Sequence, residues 1–198
     1  MKKLMLSAWL LLAAGTVCAQ ATVGQPAPAF TATDTRGKAV SLASFKGRHV
    51  VLEWVNPGCP YVQRHYNGAH MQAKQKDALA QGVVWLAINS TAADHGDYLK
   101  PAALGQWMQA QKAAPTATLL DTEGHIGRAY GARTTPHLFI VNPAGTLVYA
   151  GAVDDKPSGD AASATHHVKL ALADSLAGKP VSTPTTRPYG CSVKYSAG

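Results

Sequence analysis

The strongest constraint on the fold is a pair of β-prone apolar runs with a helical stretch between them. His49 to Val55 and Val83 to Asn89 are mostly apolar, the composition of strands buried on both faces. From Pro60 to Gln81 the pattern turns helical. Val62, Tyr66, Ala69, Ala73 and Leu79 fall near one face, Gln63, Lys74 and Lys76 fall elsewhere, and Gly82 closes the segment. Strand, helix, strand predicts two parallel neighbours joined by a right-handed crossover. Before them, Phe30 to Asp34 and Val40 to Leu42 flank Thr35-Arg36-Gly37-Lys38, an N-terminal β-hairpin signal. After them come a helix at Ala102 to Lys112, a strand at Thr118 to Asp121 and a short helix at Ile126 to Tyr130. His137 to Val141 and Thr146 to Ala150 then form a hairpin around Asn142-Pro143-Ala144-Gly145, and a last helix spans Thr165 to Leu176. This order predicts an α/β domain with a central mixed β-sheet flanked by helices.

The chain of 198 residues allows one sizeable domain. Residues 1–19 stand apart from it. Lys2 and Lys3 precede an apolar run from Leu4 to Ala14, and Val17-Cys18-Ala19 offers small residues for cleavage, the layout of a secretory signal peptide. The run is short of the ~20 residues a membrane span needs. Cleavage after Ala19 lowers the formal charge of +7 by the two charges of Lys2 and Lys3. The remaining cations are scattered singly, which argues against nucleic-acid binding, and no membrane association is expected after cleavage. Of the three cysteines, Cys18 leaves with the signal, so Cys59 and Cys191 remain as an even pair in an oxidising compartment, the periplasm or the cell exterior. The domain is expected over 20–178. A Pro- and Thr-rich tail, 179–198, has the composition of a disordered segment.

Within "WVNPGCPYV" a strand ends near Val55 and a helix begins at Pro60, which suits a first helical position. Cys59 therefore lies at the helix N-cap, where free amides and the helix dipole favour a thiolate. Farther on, Thr134-Thr135-Pro136-His137 sets a proline directly before a strand.

Together, "FTATDTRGKAVSLASFKGRHVVLEWVNPGCPYV" and "GARTTPHLFIVNPAGTLVYAGAVDD" resemble the thioredoxin superfamily. The likeness is to its peroxiredoxin-like branch, related to alkyl hydroperoxide reductase and thiol-specific antioxidant (redoxin) proteins, and it runs from Val23 to Gly178. It implies a thioredoxin-like fold, a cis Thr135–Pro136 bond beside the nucleophilic Cys59, and thiol–disulfide exchange with protein or small-molecule thiols and disulfides. Peroxides are a further candidate substrate class. The pattern departs from the family at two points. Val62 stands where the second cysteine of the pair would be, the position of a peroxiredoxin's peroxide-attacking cysteine, and three residues before Cys59 stands Asn56 in place of the Thr or Ser that precedes such a cysteine.

The missing partner is most economically Cys191, in "RPYGCSVKY", where Tyr189 and Tyr195 can dock the tail on the domain. Cys59 would attack a substrate disulfide and Cys191 would resolve the mixed disulfide. A permanent Cys59–Cys191 staple in a non-catalytic binding module stays open beside that reading. His137, beside Pro136, is a candidate to stabilise thiolate or relay a proton, and Glu53, inside a core strand, is a candidate buried proton acceptor. His65 and His70, at i, i+5 on one helix, would face different ways and are expected at the surface. No metal and no cofactor is expected, and the reducing partner is not legible.

Overall fold

The computed structural model describes residues 20–159 and 163–196; the expected signal peptide lies outside the described residues. Seven of the described strands form one mixed sheet. The central strands β3 (Val50–Trp54) and β4 (Val84–Asn89) are buried along their whole length and pair in parallel. On its other side β4 pairs in parallel with β5 (Ala117–Leu120), which in turn carries the antiparallel hairpin β1 (Thr31–Asp34) and β2 (Ala39–Ser41). On the other side β7 (His137–Val141) runs antiparallel to β3 and pairs with β8 (Leu147–Gly151). The mixed sheet, its flanking helices and the N-terminal hairpin agree with the sequence reading.

Strand alternation divides the core in two. Val51, Val55, Trp85, Leu138 and Ile140 face helices α1 (Pro60–Asn67), α2 (His70–Ala80), α3 (Pro101–Ala110) and α5 (His167–Leu176). Leu52, Trp54, Leu86, Ile88 and Phe139 face α4 (His125–Tyr130) and the N-terminal segment. Tyr130, Trp54 and Phe139 form an aromatic cluster there, with centroids 5.1 to 5.7 Å apart.

Two expectations are corrected. The single helix over 60–81 is two helices, broken at Gly68 and at Ala69, whose φ of 56° is left-handed. The break rephases the second half, so Ala69, Ala73 and Leu79 turn to solvent while Met71, Gln72, Gln75 and Ala78 turn inward. Nor does the tail behave as its composition suggests. It runs along the outer edge of β8, where the Ala150 amide donates to Pro184 O (3.0 Å) and the Thr186 amide donates to Ala150 O (3.2 Å). The Thr186 hydroxyl meets the Tyr149 hydroxyl (2.7 Å) and accepts from the Ala152 amide (2.9 Å). An uncovered sheet edge offers unpaired backbone groups, and the tail satisfies them. Beyond this edge it ends in β9 (Cys191–Ser192), which pairs antiparallel with the two-residue strand β6 (Thr134–Thr135).

Candidate active site

Cys59 caps α1 with extended backbone (φ −81°, ψ 120°), and Pro60 opens the helix. The loop before it is held by Asn56, whose side chain accepts from the Gly58 amide (2.9 Å) and donates to Asp97 (3.0 Å). The Asp97 carboxylate lies against Gly58 where a Cβ would sit, so only glycine leaves this turn undisturbed. Cys59 is 1% exposed, and its thiol donates to the Thr135 carbonyl (3.0 Å). Thr135 precedes Pro136 across a cis peptide bond, as the family resemblance implies.

Cys191 sits directly opposite Thr135 in the β6–β9 ladder, which brings its thiol within hydrogen-bonding reach of Cys59. Both cysteines are free thiols. Their acidities move apart. Burial raises the Cys59 pKa, but hydrogen bonds from the Cys191 thiol and from the Val62 and Cys191 amides outweigh it and leave it lowered. Cys191 is pushed up to about 11 by burial, by its hydrogen bond to Cys59 and by repulsion from a Cys59 thiolate. The first proton to leave the pair therefore comes from Cys59.

Tyr189 and Tyr195 bracket Cys191, and both dock. The Tyr189 hydroxyl donates to Asp154 Oδ1 (2.5 Å) and lies 2.9 Å from His65 Nε2. With its proton on Asp154, the phenol oxygen accepts from His65, which fixes His65 as the Nε2–H tautomer. His65 is not at the surface but fully buried; that burial, helped by the charges of Arg64, Lys74 and His70, pulls its pKa down to about 4. The helix break also brings the His65 and His70 rings to a centroid distance of 6.4 Å. On the other side, the Tyr195 hydroxyl donates to Ala132 O (2.8 Å) and the Arg128 guanidinium stacks 4.8 Å from its ring centroid.

The other predicted residues lie off the thiol pair. Glu53 is fully buried and accepts from Tyr66 (2.8 Å), Gln75 (3.0 Å) and Trp85 (2.7 Å), making no hydrogen bond to either cysteine. Burial still raises its pKa against these three donors. His137 shares the Phe139 face of β7, with ring centroids 4.3 Å apart, whereas Cys59 packs with Leu138 and Ile140 on the opposite face. Its Nδ1 accepts from the Arg133 amide (3.3 Å), and burial lowers its pKa to about 4. The structure thus brings Cys59, Cys191 and the Thr135–Pro136 turn together and leaves His137 and Glu53 outside. Sequence reasoning missed Asp154 and the buried role of His65. Their only trace was a tyrosine two residues before the tail cysteine, a phenol that needs partners once docked.

Residues 23–150 match the AhpC/TSA family. Among curated proteins, the thiol-disulfide oxidoreductase ResA of Bacillus subtilis is 28% identical over 128 residues, covering 63% of this chain and 64% of ResA. Chloroplastic peroxiredoxin Q of Oryza sativa subsp. japonica is 33% identical over 88 residues, covering 42% of this chain and 39% of that protein. The chain thus spans less than two thirds of either relative. Among solved structures, a hypothetical protein from Sinorhizobium meliloti superposes with a TM-score of 0.80 at 27% identity, covering 91% of this chain and 98% of that one. The thioredoxin domain of a thiol-disulfide oxidoreductase from Bacteroides vulgatus shares the fold, with a TM-score of 0.51 at 23% identity over 65% of this chain and 87% of that one. The fold is thioredoxin-like, the family match covers more than half of the sequence, and the chain belongs to the AhpC/TSA family.

Proposed function

We propose that the protein is an exported thiol–disulfide oxidoreductase in which Cys59 attacks and Cys191 resolves. The observation that carries this reading is the juxtaposition of two free thiols of opposite acidity shift, one at a helix N-cap and one on the strand laid over it. The Cys59 thiolate attacks one sulfur of a substrate disulfide, forming a mixed disulfide and releasing the other sulfur as a thiolate. Two of the three influences that raise the Cys191 pKa come from Cys59 itself. They vanish once the Cys59 sulfur is in the mixed disulfide, so Cys191 gives up its proton more readily at the step that needs it. Its thiolate then attacks the Cys59 sulfur and expels the second substrate thiolate. The substrate disulfide is thereby reduced to two thiols, the protein is left as the Cys59–Cys191 disulfide, and an external dithiol resets it.

Cys59→Ser is expected to abolish insulin disulfide reduction, and Cys191→Ser to accumulate mixed disulfides on Cys59. Trapped complexes from both variants, or from neither, would overturn the roles. Pro136 and Thr135 frame the sulfur, while Glu53 and His137 act as supports of the surrounding elements. Export rests on the charged start, apolar run and Val17-Cys18-Ala19 site. Among the described residues, no helix is long and apolar enough to cross a membrane. Intact mass of the exported protein is expected to place its first residue at Gln20; a chain retaining Met1 to Ala19 would refute export with cleavage.

A further inference from the structure

A nucleophile that is 1% exposed cannot meet a substrate disulfide unless something moves. The tail residue set against Cys59 is Cys191, and the chain on its two sides is fastened differently. Before Cys191, Tyr189 is tied to the deeply buried Asp154 and His65, and its ring lies 5.8 Å from that of Tyr61. After Cys191, the polar partners are backbone groups, Ala132 O among them (2.8 Å from the Tyr195 hydroxyl), and the exposed Arg128 side chain, in place of a buried carboxylate and imidazole. The Val193 amide donates to Arg133 O (3.1 Å), the Ala92 amide donates to Lys194 O (2.8 Å), and Tyr195 lies flat on Gly124 and Gly127. The Arg128 guanidinium reaches Ser196 O (3.0 Å) in an exposed hydrogen bond. Between the two halves stands Gly190, with φ 140°, a backbone region open to glycine, and with no room for a Cβ against the Thr135 carbonyl.

Resting on the proposed roles of the two cysteines, we propose that residues 191–196 are a hinged strap over Cys59. It pivots at Gly190, and Tyr189 is the positioning residue that pins its fixed end. Opening from the Tyr195 side uncovers Cys59 for the incoming disulfide. Because consecutive Cα atoms are only about 3.8 Å apart, Cys191, one residue past the pivot, stays within a few Å of its closed position. The resolving thiol thus remains at hand while the nucleophile is bare. Tyr195 governs access, and Tyr189 governs pairing.

The test uses the full chain with two readouts. One is the rate of iodoacetamide alkylation of Cys59 in the reduced protein, located by peptide mass. The other is the equilibrium constant for Cys59–Cys191 disulfide formation in glutathione buffers. Tyr195→Ala is expected to speed Cys59 alkylation at least tenfold while leaving the equilibrium constant within about threefold. Tyr189→Phe, which keeps the ring and loses the bonds to Asp154 and His65, is expected to lower the constant about tenfold. If Tyr195→Ala does not fold, Tyr195→Phe decides the access arm, a faster rate supporting the strap and an unchanged one overturning it. Cys59 alkylation indifferent to Tyr195 overturns the strap, and a constant indifferent to Tyr189 overturns the pin. A wild-type chain that forms no Cys59–Cys191 disulfide at any glutathione ratio overturns the functional reading itself. A disulfide that forms normally while both variants match wild type overturns only the strap.

Discussion

Cys59 and Cys191 lie a hydrogen bond apart, yet their surroundings move their acidities in opposite directions. A thiolate at Cys59 accepts from the Cys191 thiol and two backbone amides, whereas one at Cys191 would face that first negative charge. Cys59 is therefore expected to alkylate with a midpoint below the free-thiol value of ~8.5, and a midpoint at or above it would reject the N-cap argument. Cys191 is expected to titrate at about 11 in the wild type and clearly lower in Cys59→Ser, because only its burial is then left to raise it. Glu53 makes a second residue-scale argument. Burial raises its pKa above the unfolded value, so the folded state binds its proton more tightly. Its contribution to stability is then fully present below the unfolded carboxylate value of ~4.3 and is lost as pH rises through the folded value. Urea midpoints measured from pH 4 upward should fall less steeply in Glu53→Gln than in wild type. An unchanged slope would show that Glu53 titrates alike in both states.

Element boundaries depend on residues whose sequence signal is weak. Ala69 holds a left-handed conformation that costs an L-residue ~1–2 kcal/mol, and glycine would relieve it at an unfolded-state entropy cost of ~0.4–1 kcal/mol. Ala69→Gly should thus stabilise the protein by about 0.5–1 kcal/mol in urea unfolding, and destabilisation would deny the strain at the α1–α2 break. This break also shows where sequence reading ran out. The apolar residues of 60–81 fit one helical face well enough to hide it, because Ala69, Ala73 and Leu79 satisfy the period although they end in solvent. The residues that turn inward include Gln72 and Gln75, whose amide nitrogens donate to Tyr66, Gln111 and Glu53 while Gln75 Oε1 accepts from the Ala114 amide, partners no local pattern announces. Strands β3, β4, β7 and β8 were legible because their apolar and β-branched runs specify burial directly. Cys59 was legible for a similar reason: strand end, N-cap and proline are local signals. The site's other half was only half legible. "YGC" hinted that the tail docks, but the Asp154–Tyr189–His65 chain joins three distant segments and follows only from the fold.

At the scale of the whole molecule, the tail joins two tasks that composition alone would assign to neither. Its Pro- and Thr-rich part closes the β8 edge, and its last residues deliver Cys191 to the end of α1. A bond between Cys59 and Cys191 would close a loop holding most of the domain, so oxidation should restrict the unfolded chain severely. The chain-entropy model puts the gain for so long a loop near 5 kcal/mol, with ~2–5 kcal/mol the usual range. Folding and oxidation share a thermodynamic cycle. Whatever stability the disulfide adds to the fold, the fold adds to the disulfide relative to the unfolded chain. Since the reduced protein already holds Cys191 beside Cys59 through the pairing of β9 with β6, little of that gain need be lost in rearrangement. Oxidised protein is therefore expected to be more stable in urea than reduced protein by ~2–5 kcal/mol, and the glutathione equilibrium of the folded pair should exceed that of the pair in denaturant by the same free energy. Equal urea midpoints for the two redox forms would show that the tail leaves the thiols paired only loosely. In that case the β6–β9 ladder does not hold Cys191 over Cys59 in solution.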